Sequence, residues 1–135
     1  MTQAPLMDRI HITEDYDVPR VINGGWQLSA GHALERPLDL ADASRAFNRL
    51  IDMGFDTFDC ADIYTGVEDF FGGIIRERRK AGLRLPQIHT KFVPDLNDLA
   101  NVTPAYVENI ITRSLRRLGV ERLDAVQFHW WDYSV

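Results

Sequence analysis

The stretch FDTFDCADIYTG, residues 55–66, poses the question that decides the fold. Its apolar residues belong in a core, yet it carries Asp56, Asp59 and Asp62. Carboxylates are among the last side chains to be buried without a partner. Side chains along a strand alternate between two faces. Phe58 and Cys60 therefore share one face, and Thr57, Asp59 and Ala61 the other. One face is greasy, and the opposite one turns polar towards the C-terminal end.

The same pattern recurs downstream. In PQIHTKF (86–92), Ile88, Thr90 and Phe92 oppose Gln87, His89 and Lys91. In LDAVQFHWW (123–131), Val126, Phe128 and Trp130 oppose Ala125, Gln127 and His129. An earlier strand is predicted over VINGGWQLS (21–29), running into a glycine turn. RIHIT (9–13) and VPRVI (18–22), flanking EDYD, predict an N-terminal hairpin.

Helical periodicity fills the gaps between the strands. In LADASRAFNRLIDMG (40–54), Leu40, Ala43, Phe47, Leu50 and Ile51 fall on one face, with Asp39 as N-cap and Gly54 just past the end. Val67 to Lys80 puts Val67, Phe70, Phe71, Ile74 and Ile75 on one stripe. Its last turn, RERRK (76–80), reads as solvated charge complementing the helix dipole. Thr103 and Pro104 start a third helix, with Val107, Ile110, Ile111, Ser114, Leu115 and Leu118 along one face and Gly119 at the end.

The order β-α-β-α-β-α-β implies a parallel sheet with right-handed crossovers. A doubly wound sheet needs both faces apolar to meet helices on each side. A barrel wall needs only its outer face apolar, and its inner mouth accepts polar residues. Barrel enzymes place their working residues at those C-terminal strand ends. The expected fold is therefore α/β, of the parallel (β/α) barrel type. Residues 1–135 form one domain holding only the first half of a TIM barrel, with about four strands, three helices and the hairpin.

Asp59, Lys91 and His129 are each the last inner-facing polar residue of successive strands, and Tyr64 follows in the loop after the first of them. Asp59 is expected to be buried and paired with Lys91, since a neighbouring cation makes a buried carboxylate tolerable. A positive charge beside the Tyr64 hydroxyl eases loss of its proton and makes it a usable general acid. His129 can donate a hydrogen bond to a substrate oxygen. Structural readings stay open at this point: an Asp–Lys pair can serve the fold alone, a lone strand-end histidine can be a satisfied polar residue, and a tyrosine can cap a loop. By parity Asp62 is expected at the surface or in a turn. His89 lies deeper than Lys91 and reads as a core or supporting residue. Trp26, Trp130 and Trp131 are candidates for a pocket wall, Trp130 being the one expected in the core.

Composition narrows the classes of function. Of 135 residues, 45% are hydrophobic and 26% charged, with a net charge of −5, which argues against nucleic acid or an acidic membrane surface as the partner. Cys60 is the single cysteine, so no intrachain disulfide can form, and its apolar flanks make it a buried structural thiol. MTQAPLMDRI has no apolar leader core, and no run approaches the length of a membrane span, so a cytoplasmic location is expected.

GFDTFDCADIY followed by GVEDFFG resembles the signature of the aldo-keto reductases, in which a strand ends in Asp and a Tyr follows five residues later. HTKF resembles the strand carrying that family's catalytic lysine, and QFHWWD the one carrying its histidine. INGGWQLS is similar to the family's first strand and turn, with Gly25 where a Thr is usual. The resemblance implies catalytic roles for Asp59, Tyr64, Lys91 and His129, and a nicotinamide site at Gly25, Trp26 and Asp59. NADPH, with NADH as the alternative, would reduce a small aldehyde or ketone to an alcohol, with Tyr64 giving the proton.

Family members are barrels of roughly twice this length or more, and most of their contacts to the cofactor's phosphates come from the half not seen here. A truncated or proteolysed reductase of weak activity is the first expectation. Self-association or a separate C-terminal half-barrel would complete the sheet in other ways. Two alternative functions stand beside it. One is a non-catalytic, cofactor-sensing or regulatory relative. The other is a metal-dependent barrel hydrolase using Asp59, His89 and His129, against which the lack of an H-x-H or H-x-x-H pair counts.

Overall fold

A computed structural model describes residues 7–30, 38–130 and 132–134. Trp131, expected in the last strand and at the pocket wall, lies outside the described residues.

Strands β1 (Arg9–Thr13) and β2 (Tyr16–Pro19) form the antiparallel hairpin. A second sheet holds β3 (Asn23–Gly24), β4 (Thr57–Asp59), β5 (Gln87–Phe92) and β6 (Ala125–Phe128), parallel and side by side in chain order. Helices α1 (Leu40–Asp52), α2 (Val67–Lys80) and α3 (Pro104–Leu118) are the crossovers. Right-handed crossovers between strands that never reverse order keep every helix on one face, which a closing barrel requires and a doubly wound sheet does not show.

Local chemistry accounts for the helix ends. The Asp39 carboxylate accepts from the Asp42 N–H at 2.9 Å, and the Thr103 hydroxyl oxygen from the Tyr106 N–H at 3.2 Å, each satisfying a donor left over in a first turn. Pro104 opens α3, and Gly119 closes it in the left-handed conformation (φ 67°) that other residues resist.

The core lies between the sheet and the helices. Phe58, Cys60 and Ile88 meet Ile51, Val67, Phe71, Ile74, Ile75 and Leu118. Phe58 and Phe71 stack with ring centroids 5.2 Å apart, and Phe47 packs edge-on against Phe71 at 5.4 Å. Such aromatic pairs add about 0.5–1.5 kcal/mol beyond their area burial.

The hairpin covers the lower part of the opposite face. Arg9 bridges Asp17 (Nε–Oδ1 3.0 Å) and the buried Asp56 (Nη1–Oδ1 2.8 Å), the Thr57 hydroxyl donates to Gln87 Oε1 at 2.7 Å, and Tyr16 Oη lies 2.8 Å from His89 Nε2. Thr57 is wholly buried for this reason, and His89 is the half-buried supporting residue that strand parity predicts.

Several expectations need correction. The first strand is only two residues long, because Trp26–Leu28 turn into a 3-10 helix. β4 stops at Asp59, although Cys60 N and Asp62 N still donate to the carbonyls of His89 and Lys91 on β5. Leu40 is exposed, being the first residue of its helix. Trp130 is half-buried and packs on Phe128 (centroids 4.3 Å apart) instead of entering the core. Phe128 is 52% exposed and Val126 is also exposed, so the outer face of β6 is uncovered among the described residues, as expected of a half barrel. Among the described residues no helix is long and apolar enough to cross a membrane.

Candidate active site

The alternation of β5 points Lys91 away from the helices, next to the C-terminal end of β4. Its ammonium donates to both Asp59 oxygens, at 2.6 and 2.7 Å, and to the Cys60 carbonyl at 2.8 Å. A lysine has three N–H donors, and all are engaged. The pairing was expected, but the depth of Asp59 was not: its side chain remains 34% exposed, because it stands at the rim of the sheet. The Asp59 carbonyl also accepts from Gly25 N at 2.7 Å, tying β3 to the same rim.

Gly25 has a steric reason to be glycine. A Cβ there would sit 2.9 Å from the Asp59 carbonyl oxygen and 3.1 Å from side-chain atoms of Phe71 and Val67. Any larger residue requires β3 to back away from β4. Glycine thus sets how near the exposed Trp26 lies to Asp59.

Tyr64 sits in the short loop between β4 and α2. Its N–H donates to the Ala61 carbonyl (3.1 Å) and its own carbonyl accepts from Val67 N (3.0 Å), a tight turn that Gly66 completes at φ 80°. Half-buried against the core, its ring centroid lies 5.4 Å from the Lys91 ammonium, within the range of a cation–π attraction. His129 follows β6, where its N–H extends the ladder to the Phe92 carbonyl at 3.0 Å and its residue is exposed. Asp59, Lys91 and Tyr64 are thus gathered in one place, and His129 stands at the end of the adjoining strand.

Asp62 lies in a turn, as expected, but not at the surface. Its side chain is 1% exposed, accepting from Val93 N at 3.1 Å and from Arg113 Nη2 at 3.0 Å. Alternation carries on past Asp59, with Cys60 N and Asp62 N bonding alternate carbonyls of β5, so Asp62 faces α3 on the side of Phe58 and Cys60. Burial holds the Asp62 carboxyl above the usual carboxylate range, against the pull of the Val93 N–H and Arg113. Glu68 is equally buried, accepting from Thr90 Oγ1 at 2.7 Å and Arg117 Nη1 at 3.2 Å. The solvated reading of RERRK also fails at one residue. Arg78 is 3% exposed and donates to the Arg84 carbonyl, Asn48 Oδ1 and Asp52 Oδ1 at 2.6–2.8 Å, clamping α2 to α1. The missed signal lies in the helical spacing: Glu68 and Arg78 both fall on the stripe of Val67, Phe71, Ile74 and Ile75.

Burial pushes the Cys60 thiol up to about 12, with the charge of Glu68 adding to the effect, which makes it an inert core residue. Among the described residues, no three side chains of His, Cys, Asp or Glu cluster as a metal centre requires.

Comparison with known proteins places this geometry. No curated protein matches the sequence. Solved structures do. PA4992 of Pseudomonas aeruginosa, assigned to the aldo-keto reductases, superposes with a TM-score of 0.76 at 20% identity, over 95% of this chain and 50% of its own. The thermostable aldo-keto reductase Tm1743, solved with the inhibitor epalrestat, gives 0.71 at 20% identity, over 96% and 45%. The aldo-keto reductase AKR2E5 of the silkworm Bombyx mori gives 0.69 at 23% identity, over 96% and 40%. The chain spans about half the length of these proteins or less, and the likeness establishes the barrel type of fold. The profile of the aldo/keto reductase family matches residues 20–135, most of the chain and all of the parallel sheet, and the protein belongs to that family.

Proposed function

We propose that this chain carries the carbonyl-reducing site of an NAD(P)H-dependent oxidoreductase, with Tyr64 as the general acid. The observation that carries the reading is the Lys91 ammonium, held by Asp59 and the Cys60 carbonyl, beside the Tyr64 ring.

The strand ends suit the nicotinamide part of such a cofactor. Trp26 offers an exposed indole for a ring face, and no side chain at Gly25 intrudes towards Asp59. The partly exposed Asp59 carboxylate has lone pairs to spare for a carboxamide. Gly25, Trp26 and Asp59 would hold the ring, and the reduced cofactor supplies the hydride when bound. The chain's own residues manage the oxygen. His129 donates a hydrogen bond that orients the carbonyl, and Tyr64 passes its phenolic proton to the oxygen as charge develops there. Lys91 stabilises the phenolate left behind, and Asp59 holds the ammonium in place.

NADPH-dependent reduction of an aromatic aldehyde by the purified chain tests this. Slow turnover above the buffer rate is expected, falling to that rate in Tyr64→Phe. Equal rates in the two proteins would contradict the assignment.

A further inference from the structure

Both ends of the Tyr64 loop are stitched to the strand that carries Lys91. On the N-terminal side, Asp62 N donates to the Lys91 carbonyl at 3.2 Å, and its carboxylate accepts from Val93 N at 3.1 Å. On the C-terminal side, Glu68 Oε1 accepts from the hydroxyl of Thr90, the residue before Lys91. Two arginines one turn apart on α3 then lock the carboxylates. Arg113 reaches Asp62 Oδ2 at 3.0 Å. Arg117 Nη1 is shared between the Asp62 carbonyl (3.0 Å) and Glu68 Oε2 (3.2 Å), spanning the loop from one side of Tyr64 to the other.

We infer that the buried Asp62 and Glu68 and the half-exposed Arg113 and Arg117 form a brace that sets the distance between Tyr64 and Lys91, with Arg117 its central positioning residue. Two carboxylates each 1% exposed, answered by arginines that are still 38% and 32% exposed, are an expensive way to fill space, since apolar side chains of similar volume stabilise a fold as well or better. Directional bonds give what apolar packing does not, a fixed register. The close approach of the helices serves the same end: a Cβ on Gly72 of α2 would fall 2.1 Å from the Arg117 carbonyl oxygen, so glycine lets α3 bring Arg117 within reach of Glu68. The word acid for Tyr64 rests on the function proposed above; the bracing geometry does not.

The test is nuclear magnetic resonance on the 135-residue chain, with no cofactor or aldehyde added. The wild type is expected to show Overhauser contacts between Tyr64 ring protons and the Lys91 ε-methylene. Arg117→Met is expected to lose them, and amide protection over residues 61–67 to fall at least about tenfold, while the Phe58–Phe71 contacts persist. If Arg117→Met does not fold, Arg117→Lys is read instead. Its ammonium could also donate to both oxygens, but the shorter side chain ends before the Nη1 position, and the same loss is expected. Glu68→Gln keeps an acceptor for the Thr90 hydroxyl but turns an amide N–H towards Arg117 Nη1, and is expected to weaken the Tyr64–Lys91 contact. A folded Arg117 variant with unchanged contacts and protection would overturn the brace. The absence of reductase activity would bear only on the proposed function.

Discussion

At the scale of single residues, the Asp59–Lys91 pair governs the site. It was legible from strand parity, because both residues stand near the ends of regular strands. Lys91→Met leaves the Asp59 carboxylate at the rim without its cation, and a loss of about 1–3 kcal/mol is expected in urea unfolding. Adding Asp59→Asn should recover part of that loss, so the two changes together cost less than their sum; strict additivity would show that the pair is not coupled. His89 makes a second prediction. Burial holds its imidazole below the ordinary value, with Asp124 and Asp59 pulling it up and Lys91 pushing it down. A base depressed in the folded state binds its proton less well there than in the unfolded chain. Stability is therefore unaffected above the unfolded value of about 6.5 and is lost as pH falls below it. His89→Gln keeps a partner for the Tyr16 hydroxyl and cannot take up a proton, so its urea midpoint should change less between pH 7.5 and 5.5 than that of the wild type. Parallel pH profiles would rule out His89 as the source of the acid loss. Asp62 was legible as a turn residue but not as a buried one: only the arginines of α3, distant in sequence, explain how a carboxylate can stand on the face of Phe58 and Cys60.

At the scale of elements, the three helices and their caps were readable because each signal is local: Asp39, Thr103, Pro104 and Gly119 act on their own turns. The buried charges of Glu68 and Arg78 were present in the helical spacing but masked by the habit of reading charge as surface. Harder to read was the contact between α2 and α3 at Gly72, since helical spacing puts Gly72 beside Glu68 and Ile75 but does not show that the Arg117 backbone closes on it. Gly72 and Gly73 should respond in opposite directions to alanine. Gly72→Ala meets the Arg117 carbonyl 2.1 Å away and is expected to destabilise by about 2–4 kcal/mol. Gly73→Ala has only the end of Arg76 near it, at 3.9 Å, and gains helix propensity, with a stabilisation of about 0.5–1 kcal/mol. Thermal melts of the two variants decide it, and similar midpoints would mean that the helices do not close at Gly72.

At the scale of the whole molecule, the order of parallel strands was legible from one greasy and one polar face per strand, and the presence of the hairpin from its turn, although its second strand runs over Tyr16–Pro19 and not over 18–22. How the hairpin docks was not, because Arg9, Asp56 and Gln87 are brought together only by the folded sheet. The outer face of β6 has consequences for solution behaviour. Phe92, Val102, Val107, Ile111, Val126 and Phe128 line an apolar groove beside α3. Exposed apolar surface of this kind beside a strand edge favours association. The chain is expected to sediment above its monomer mass at micromolar concentration, and Phe128→Lys to shift it towards the monomer; a well-folded wild-type monomer would contradict this. The most direct test of the central claim, carbonyl reduction at the site of Asp59, Tyr64, Lys91 and His129, follows the hydride itself. With NADPH carrying deuterium at both C4 positions and an aromatic aldehyde, mass spectrometry of the product should find one deuterium on the alcohol carbon for the wild type and no alcohol above background for Tyr64→Phe. Unlabelled alcohol, or equal labelling by the two proteins, would contradict the account.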